Sequence, residues 1–516
     1  MIKDIDLEVE LQRYFNYPSF RTGQKEIIQD VLSEKDVLGV LPTGSGKSIC
    51  YQLTAKLLEG ITIVVSPLIS LMEDQVKQLK ATSFKEVIAL NSFMEPKRRR
   101  EIYRKLHKYK LIYVSPELLQ QNETIVQLKK CDISLFVIDE AHCISQWGHE
   151  FRPDYLKLRD VVRELGNPTL LALSATATKT VQDDIINVLD RPNIVKHIHP
   201  MDRNNITLAV KEVSDNQEKQ EVIVNILSNR RVPTLIYFSS RQTTEQLSMF
   251  LSEKLPYLRV AFYHGGMEQM DRITIQQQFM NNQLDVICCT SAFGMGINKN
   301  NIRLVIHYHF PSQIESYIQE IGRAGRDGGS SISLLLYSKS DEYIPWHMVQ
   351  QELPSEDQLR SFFNLIENSK LKNNQPLNLE HISEQLEFTE TQWRFLYYQL
   401  ENHDMIDKNN VVLYEKERWT DAFHTINWLR RERITVKEGK IREMISWMNS
   451  NGCLRENLYR NFQTSYSPPI EQCCSNCGFS FHDWNPEQTT AVEQRGLNWE
   501  EKLKKLFLIG ETNETK

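Results

Sequence analysis

Leu41-Pro-Thr-Gly-Ser-Gly-Lys-Ser48 follows a short apolar run and opens a helical pattern. Glycines let backbone N–H groups close on phosphate oxygens, a lysine reaches the β- and γ-phosphates, and a hydroxyl ligates Mg²⁺. Gly44, Gly46, Lys47 and Ser48 supply these groups, with Thr43 and Ser45 completing the loop. Leu41 replaces the opening glycine of the strict pattern. A second run, Val137-Ile-Asp-Glu-Ala-His142, is an apolar strand ending in two acids. Asp139 is suited to the Mg²⁺ shell and Glu140 to orienting an attacking water. Alone, the first run could be a tight glycine turn between strand and helix. The second run makes that the weaker reading, and the pair predicts hydrolysis of a nucleoside triphosphate.

Outward from the loop, residues 1–200 alternate β-branched runs with helical stretches. The predicted strands are Val37–Leu41, Ile61–Ser66, Leu111–Val114, Leu135–Ile138 and Leu170–Ser174. Such alternation implies an α/β lobe with a parallel sheet and crossover helices. A second α/β lobe over 201–345 repeats it with Thr234–Phe238, Val260–Tyr263, Val286–Cys289, Leu304–His307 and Ile332–Tyr337, but has no phosphate loop. A nucleotide bound between two lobes is the expectation, with residues 190–205 as linker.

Residues 346–440 read as mostly helical. Leu377–Leu386 and Glu390–His403 are amphipathic, and Met405–Tyr414 reads as a hairpin turning at Lys408-Asn-Asn. Helix, turn, helix and hairpin is the order of a winged helix, weighed evenly against a generic helical domain. Residues 441–485 hold clustered cysteines, and 486–516 are expected to form a C-terminal helix and tail.

The 516 residues contain no uninterrupted apolar stretch of about 18, so no membrane segment is expected. The charged N-terminus lacks a signal-peptide core, which predicts a cytoplasmic protein. A net charge of -6 excludes a uniformly basic coat, so any nucleic-acid surface must be local. Of nine cysteines, Cys50, Cys131, Cys143, Cys288 and Cys289 sit in or beside apolar runs and read as small core residues.

Further runs narrow the reading. They are Phe15-Asn-Tyr-Pro-Ser-Phe-Arg-Thr-Gly-Gln24, Ser66–Gln75, Asp139-Glu-Ala-His-Cys-Ile-Ser-Gln-Trp-Gly-His-Glu-Phe-Arg-Pro153, Ser174-Ala-Thr-Ala-Thr178, Ala292–Lys299 and Gln319-Glu-Ile-Gly-Arg-Ala-Gly-Arg-Asp-Gly328. In this order they closely resemble RecQ-family DNA helicases of superfamily 2, over nearly all of residues 10–340. The resemblance implies two tandem RecA-like lobes and an ATP-dependent helicase that moves 3′ to 5′ on single-stranded DNA in recombination and repair. It implies that Gln24 reads adenine with Arg21 beside it, that Arg326 is an arginine finger and that Arg323 is a phosphate contact. Trp147, Phe151 and Arg152 would couple DNA binding to hydrolysis, as bases stack on aromatic and guanidinium faces. ATP and Mg²⁺ are the implied cofactors. The implied partners are single-stranded and duplex DNA, with single-strand-binding protein and other repair factors, in the nucleoid.

Cys474-Ser-Asn-Cys477 has the spacing of a zinc knuckle, preceded by Cys473 and by Cys453. RecQ proteins carry a structural zinc site in this place. Ser480 stands where the commonest spacing has a ligand, so a four-ligand site needs both Cys473 and Cys474, or else His482. Cys453, Cys473, Cys474 and Cys477 are the favoured Zn²⁺ set. A second departure is that the winged-helix candidate precedes the cysteines rather than following them, so the chain looks like a short variant. Two basic runs, Pro96–Lys110 and Trp428–Arg433, could follow a phosphate backbone, but a solvated helix face is the simpler expectation. Two rival functions stay open: an RNA helicase on the same core, and a DNA-binding or annealing scaffold whose motor has decayed. Intact Lys47, Asp139, Glu140 and Arg326 argue against the second.

Overall fold

A computed structural model of the chain describes residues 5–82, 84–145, 152–294, 299–372, 379–406, 412–413, 415–463, 466–484 and 486. Seven strands form the first sheet: β1 (Val37–Val40), β2 (Ile61–Val65), β3 (Val87–Leu90), β4 (Leu111–Val114), β5 (Ile133–Ile138), β6 (Thr169–Ser174) and β7 (Val195–Ile198). Their order is β3-β4-β2-β5-β6-β1-β7, and every neighbouring pair is parallel. β1, β2 and β4 are buried along their whole length, as the continuous apolar runs of a parallel sheet require.

Pairing fixes where the motifs emerge. β1 neighbours β6 with Val40 opposite Ser174, and β6 neighbours β5 with Ala172 opposite Ile138. The phosphate loop, the acidic pair and the Ser-Ala-Thr run therefore leave adjacent strands on one carboxyl edge, where open α/β sheets bind ligands.

The second sheet holds β8 (Ile206–Glu212), β9 (Thr234–Tyr237), β10 (Val260–Tyr263), β11 (Val286–Cys289), β12 (Leu304–His307) and β13 (Ser331–Tyr337), in the order β10-β11-β9-β12-β13-β8. The chain thus has the two RecA-like, parallel-sheet lobes expected of it. Three strands were not legible in the sequence. β7 falls inside the stretch read as linker and alternates half-buried Val195 and His197 with exposed Lys196 and Ile198, so it lacks an apolar run. β8 ends in Lys211 and Glu212, and β3 is only four residues long at a sheet edge.

The chain divides into two compact units. One takes in residues 1–310, 317–336 and 450–516, and the other 311–316 and 337–449. In the first unit, Cys473–Trp484 closes on the second sheet. The Leu208 N–H donates to the Cys473 carbonyl at 3.2 Å, and Trp484, 3% exposed, joins a core with Ile236, Leu251 and Leu334.

The second unit is helical, over Glu356–Lys372, Leu379–Gln385, Glu390–Asn402 and Lys416–Met448. Leu359, Phe362, Ile366, Leu396, Leu400 and Ile426 form its core. Thr389 and Gln392 form a capping box that starts the third of these helices and fixes the turn before it. Ile406 and Val412 make an antiparallel bridge, and the Leu413 N–H donates to the Met405 carbonyl at 2.8 Å. The expected turn at Lys408-Asn-Asn lies outside the described residues, as does the expected helix and tail beyond 486. The basic run after Trp428 is engaged internally: Arg430 donates to the Pro354 carbonyl, and Arg431 pairs with Glu356.

Candidate functional site

The phosphate loop turns on two residues in left-handed backbone, Gly44 at φ +85° and Gly46 at φ +76°. The backbone of Gly46 favours glycine, and a Cβ there would stand 2.9 Å from Gln24 Nε2. Ser48 begins the helix Ser48–Leu57, whose N-terminus favours anions. The Thr43 and Ser45 hydroxyls are buried without a hydrogen-bond partner. Unmet buried donors beside a glycine turn and a helix N-terminus fit a phosphate chain.

Across the loop, Lys47 Nζ lies 3.7 Å from Glu140 Oε2. Glu140 itself has φ +49°, the left-handed region that a non-glycine residue enters at a cost of about 1–3 kcal/mol. Its N–H donates to Asp139 Oδ1 at 3.0 Å. Burial, reinforced by the neighbouring Glu140, pushes the Asp139 carboxyl up to about 7. A divalent cation beside it would favour the ionised form, so the donor set fits Mg²⁺ held by Ser48 and Asp139. Tyr155 donates to the Asp139 carbonyl at 3.2 Å, and fully buried His142 places Nδ1 3.0 Å from Ser174 Oγ.

Three arginines, Arg21, Arg203 and Arg326, meet at this loop. Arg21 donates to the Gly44 carbonyl. Arg326 lies across the loop, since a Cβ at Gly44 would meet its Cγ at 3.0 Å. Burial, then repulsion from Arg323, Arg203 and Arg21, pushes the Arg326 guanidinium down to about 9. A site that gathers this much positive charge suits a polyanion. Arg323, 4% exposed, instead turns into the second lobe and donates to the Gly294 carbonyl.

Gln24 is also committed to protein groups. Its Nε2 donates to the Ser45 carbonyl at 2.8 Å and the Gly46 carbonyl at 3.0 Å, while Oε1 accepts from the Arg21 N–H at 2.9 Å. It thus braces the loop. Trp147 and Phe151 lie outside the described residues. Arg152 donates to the Pro67 carbonyl at 2.8 Å, tying the end of that segment to the Ser66–Gln75 run.

The sequence reading missed Arg203. Its Nη1 donates to the Thr43 carbonyl at 3.1 Å and its Nη2 to the Gly325 carbonyl at 2.6 Å, joining the two lobes at the phosphate loop. A lone arginine in a segment read as linker carries no motif signal.

The other site is the cysteine cluster. One sulfur from each of Cys453, Cys473, Cys474 and Cys477 lies within 4.8 Å of the others. A tetrahedral Zn²⁺ with bonds of about 2.3 Å sets its sulfurs roughly 3.8 Å apart, so the four fit that ion. The Leu454 N–H donates to Cys474 Sγ at 3.4 Å, and Gly478 at φ +93° reverses the chain after Cys477. Asn476 Nδ2 donates to the Ser450 and Gly452 carbonyls at 2.6 and 2.9 Å, fastening the knuckle to the segment before Cys453. His482 is solvent-exposed and is not in this group.

Similarity to known proteins agrees with this geometry. The DEAD/DEAH box helicase family matches residues 21–184, and the helicase conserved C-terminal domain matches residues 218–328. A probable ATP-dependent DNA helicase RecS of Bacillus subtilis is 40% identical over 512 residues, covering 98% of this chain and 99% of that protein. ATP-dependent DNA helicase RecQ of Haemophilus influenzae is 41% identical over 64% of this chain and 53% of its own length. For RecQ of Bacillus subtilis the figures are 41%, 67% and 59%. The chain therefore spans only somewhat over half of these RecQ proteins. Among solved structures, the DEAD-box helicase Mss116 bound to single-stranded RNA superposes with a TM-score of 0.57 at 18% identity, covering 90% of this chain and 91% of that one. Helicase Lhr of Mycobacterium smegmatis bound to single-stranded DNA gives a TM-score of 0.55 at 18% identity, covering 81% and 61%. At such identities these two likenesses bear on the fold alone.

Proposed function

The chain belongs to the RecQ family of helicases, and from that premise we propose that it is an ATP-dependent DNA helicase of recombination and repair, moving 3′ to 5′ on single-stranded DNA. The observation that carries the reading is the meeting of Lys47, Glu140 and Arg326 at one phosphate loop, with Arg326 supplied by the other lobe.

Lys47 contacts the β- and γ-phosphates. Ser48 and Asp139 hold Mg²⁺, which when bound neutralises phosphate charge and orients the leaving group. Glu140 orients the attacking water. Arg326 stabilises charge on the separating γ-phosphoryl oxygens, and Arg323 joins it as the lobes close. Arg21 and Gln24 hold the loop and the base side of the nucleotide. Repeated closing and opening of the lobes advances the strand, with Trp147, Phe151 and Arg152 sensing it. Cys453, Cys473, Cys474 and Cys477 bind one structural Zn²⁺.

The test is ATP hydrolysis with and without single-stranded DNA, beside strand displacement on 3′-tailed and 5′-tailed duplexes. DNA-stimulated hydrolysis with displacement only from the 3′ tail is the expected result. Hydrolysis stimulated by RNA and not by DNA would replace this reading with an RNA helicase.

A further inference from the structure

Residues 201–206 run from the first lobe to β8, and groups from three distant segments bond to them. The Arg203 guanidinium is the centre. Besides its bonds to the Thr43 and Gly325 carbonyls, its Nη1 lies 3.4 Å from the Gly322 carbonyl and its Nη2 3.5 Å from the Ala324 carbonyl. A Cβ at Gly44 would stand 3.0 Å from both Arg203 Nη1 and Arg326 Cγ, so the two side chains lie side by side against the loop. These four acceptors are all backbone carbonyls. Thr43 belongs to the phosphate loop, whereas Gly322, Ala324 and Gly325 belong to the turn that carries Arg323 and Arg326.

The backbone of the same segment is held from the cysteine cluster. Arg455, two residues after Cys453, is 3% exposed and pairs with Asp202, whose side chain is 2% exposed. It also donates to the carbonyls of Arg203 at 3.2 Å, of Ile206, and of Cys473 at 3.5 Å. Gln463 Oε1 accepts from the N–H groups of Met201 at 2.8 Å and Asp202 at 3.1 Å.

We propose that Arg203 is a positioning residue for ATP hydrolysis, setting the phosphate loop at a fixed distance from the turn that carries Arg326, and that Arg455 and Asp202 tie this setting to the cysteine cluster. The inference rests on the ATP-hydrolysis reading and deepens it. A planar fork can serve carbonyls on both lobes at once; a lysine, with one ammonium point, cannot hold the same geometry. Because Arg203 acts through Arg326, its loss changes the turnover step rather than nucleotide affinity. Misplacing a reacting group by about 1 Å can cost on the order of 10²-fold in rate.

The test measures DNA-stimulated ATP turnover, KM for ATP, affinity for a fluorescent ADP, zinc content and melting temperature in the full-length chain and its Arg203→Ala, Arg203→Lys and Asp202→Asn variants. Arg203→Ala is expected to lower kcat by about 10–100-fold with ADP affinity and KM within about 3-fold, zinc content unchanged, and Arg203→Lys recovering only part of the loss. Asp202→Asn shifts kcat in the same direction by about 3–10-fold. A wild-type kcat in Arg203→Ala, or a loss of ADP affinity that accounts for the whole effect, overturns the inference while leaving the helicase reading intact. If Arg203→Ala does not fold, Arg203→Lys and Asp202→Asn decide, and wild-type kcat in both overturns it. A wild-type chain inert toward ATP overturns both readings together.

Discussion

Lys47 Nζ faces Glu140 Oε2 at 3.7 Å, with both side chains only 14% and 13% exposed. The cation assigned to the phosphates and the anion assigned to the water therefore sit within one ionic contact. Glu140→Gln preserves shape and removes the anion. It is expected to bind a fluorescent ATP analogue near wild-type affinity while hydrolysis falls by roughly 10²–10⁴-fold. Lys47→Ala is expected to lose both, and full DNA-stimulated hydrolysis in Lys47→Ala would refute the site.

His142 and Ser174 join the ends of β5 and β6 through a 3.0 Å hydrogen bond. Ser174→Ala removes it without touching the phosphate loop. The expected outcome is near-normal KM for ATP with strand displacement reduced more than hydrolysis. Equal loss of both in a stopped-flow unwinding assay would count against a linking role.

Asp285 gives a pH prediction. Burial works to raise its carboxyl, but hydrogen bonds from Arg259 and Arg231 outweigh this and take it down to about 2, from 3.8. A folded-state value below the unfolded one stabilises the fold above pH 3.8, and that stabilisation is lost as pH falls toward 2. It amounts to about 2 kcal/mol at neutral pH for this side chain, which is 4% exposed. Asp285→Asn is expected to lower stability by about this much at pH 7, with the gap to wild type closing on acidification, as read from urea melts across pH 2–7.

The cysteine cluster predicts about one Zn²⁺ per chain by elemental analysis. Cys474→Ser is expected to abolish it and to lower the melting temperature by roughly 5–10 °C, because the thiolates would be left converging without an ion. Retention of zinc in Cys474→Ser would assign a different ligand set.

What could be read from the sequence was whatever carries its signal locally. The central strands β1, β2, β4 and β5 announce themselves as apolar runs, and the phosphate loop and acidic pair as fixed spacings. Edge strand β7 did not, because one of its sides faces solvent. Arg203 did not, because its meaning lies in acceptors 119–122 residues away on one side and 160 on the other. Gln24 was recognised as part of the site, but its bonds to the phosphate loop depend on the folded approach of two segments. The basic run at Arg430 and Arg431 reads in the sequence as a solvated helix face, and only the fold brings the Pro354 carbonyl and Glu356 beside it.

Trp484 lies in the same core as Ile236 and Leu334, while residues 337–449 form a separate compact unit. The helical unit is therefore an insertion, and the second lobe is left open until the ribosome has made a further stretch of more than a hundred residues. A nascent chain at that stage exposes an unfinished apolar surface, and Arg230 waits for the Trp484 carbonyl that it finally bonds at 2.9 Å. Truncations before this point should surface as chaperone clients and proteolysis substrates, not as motors lacking an accessory part.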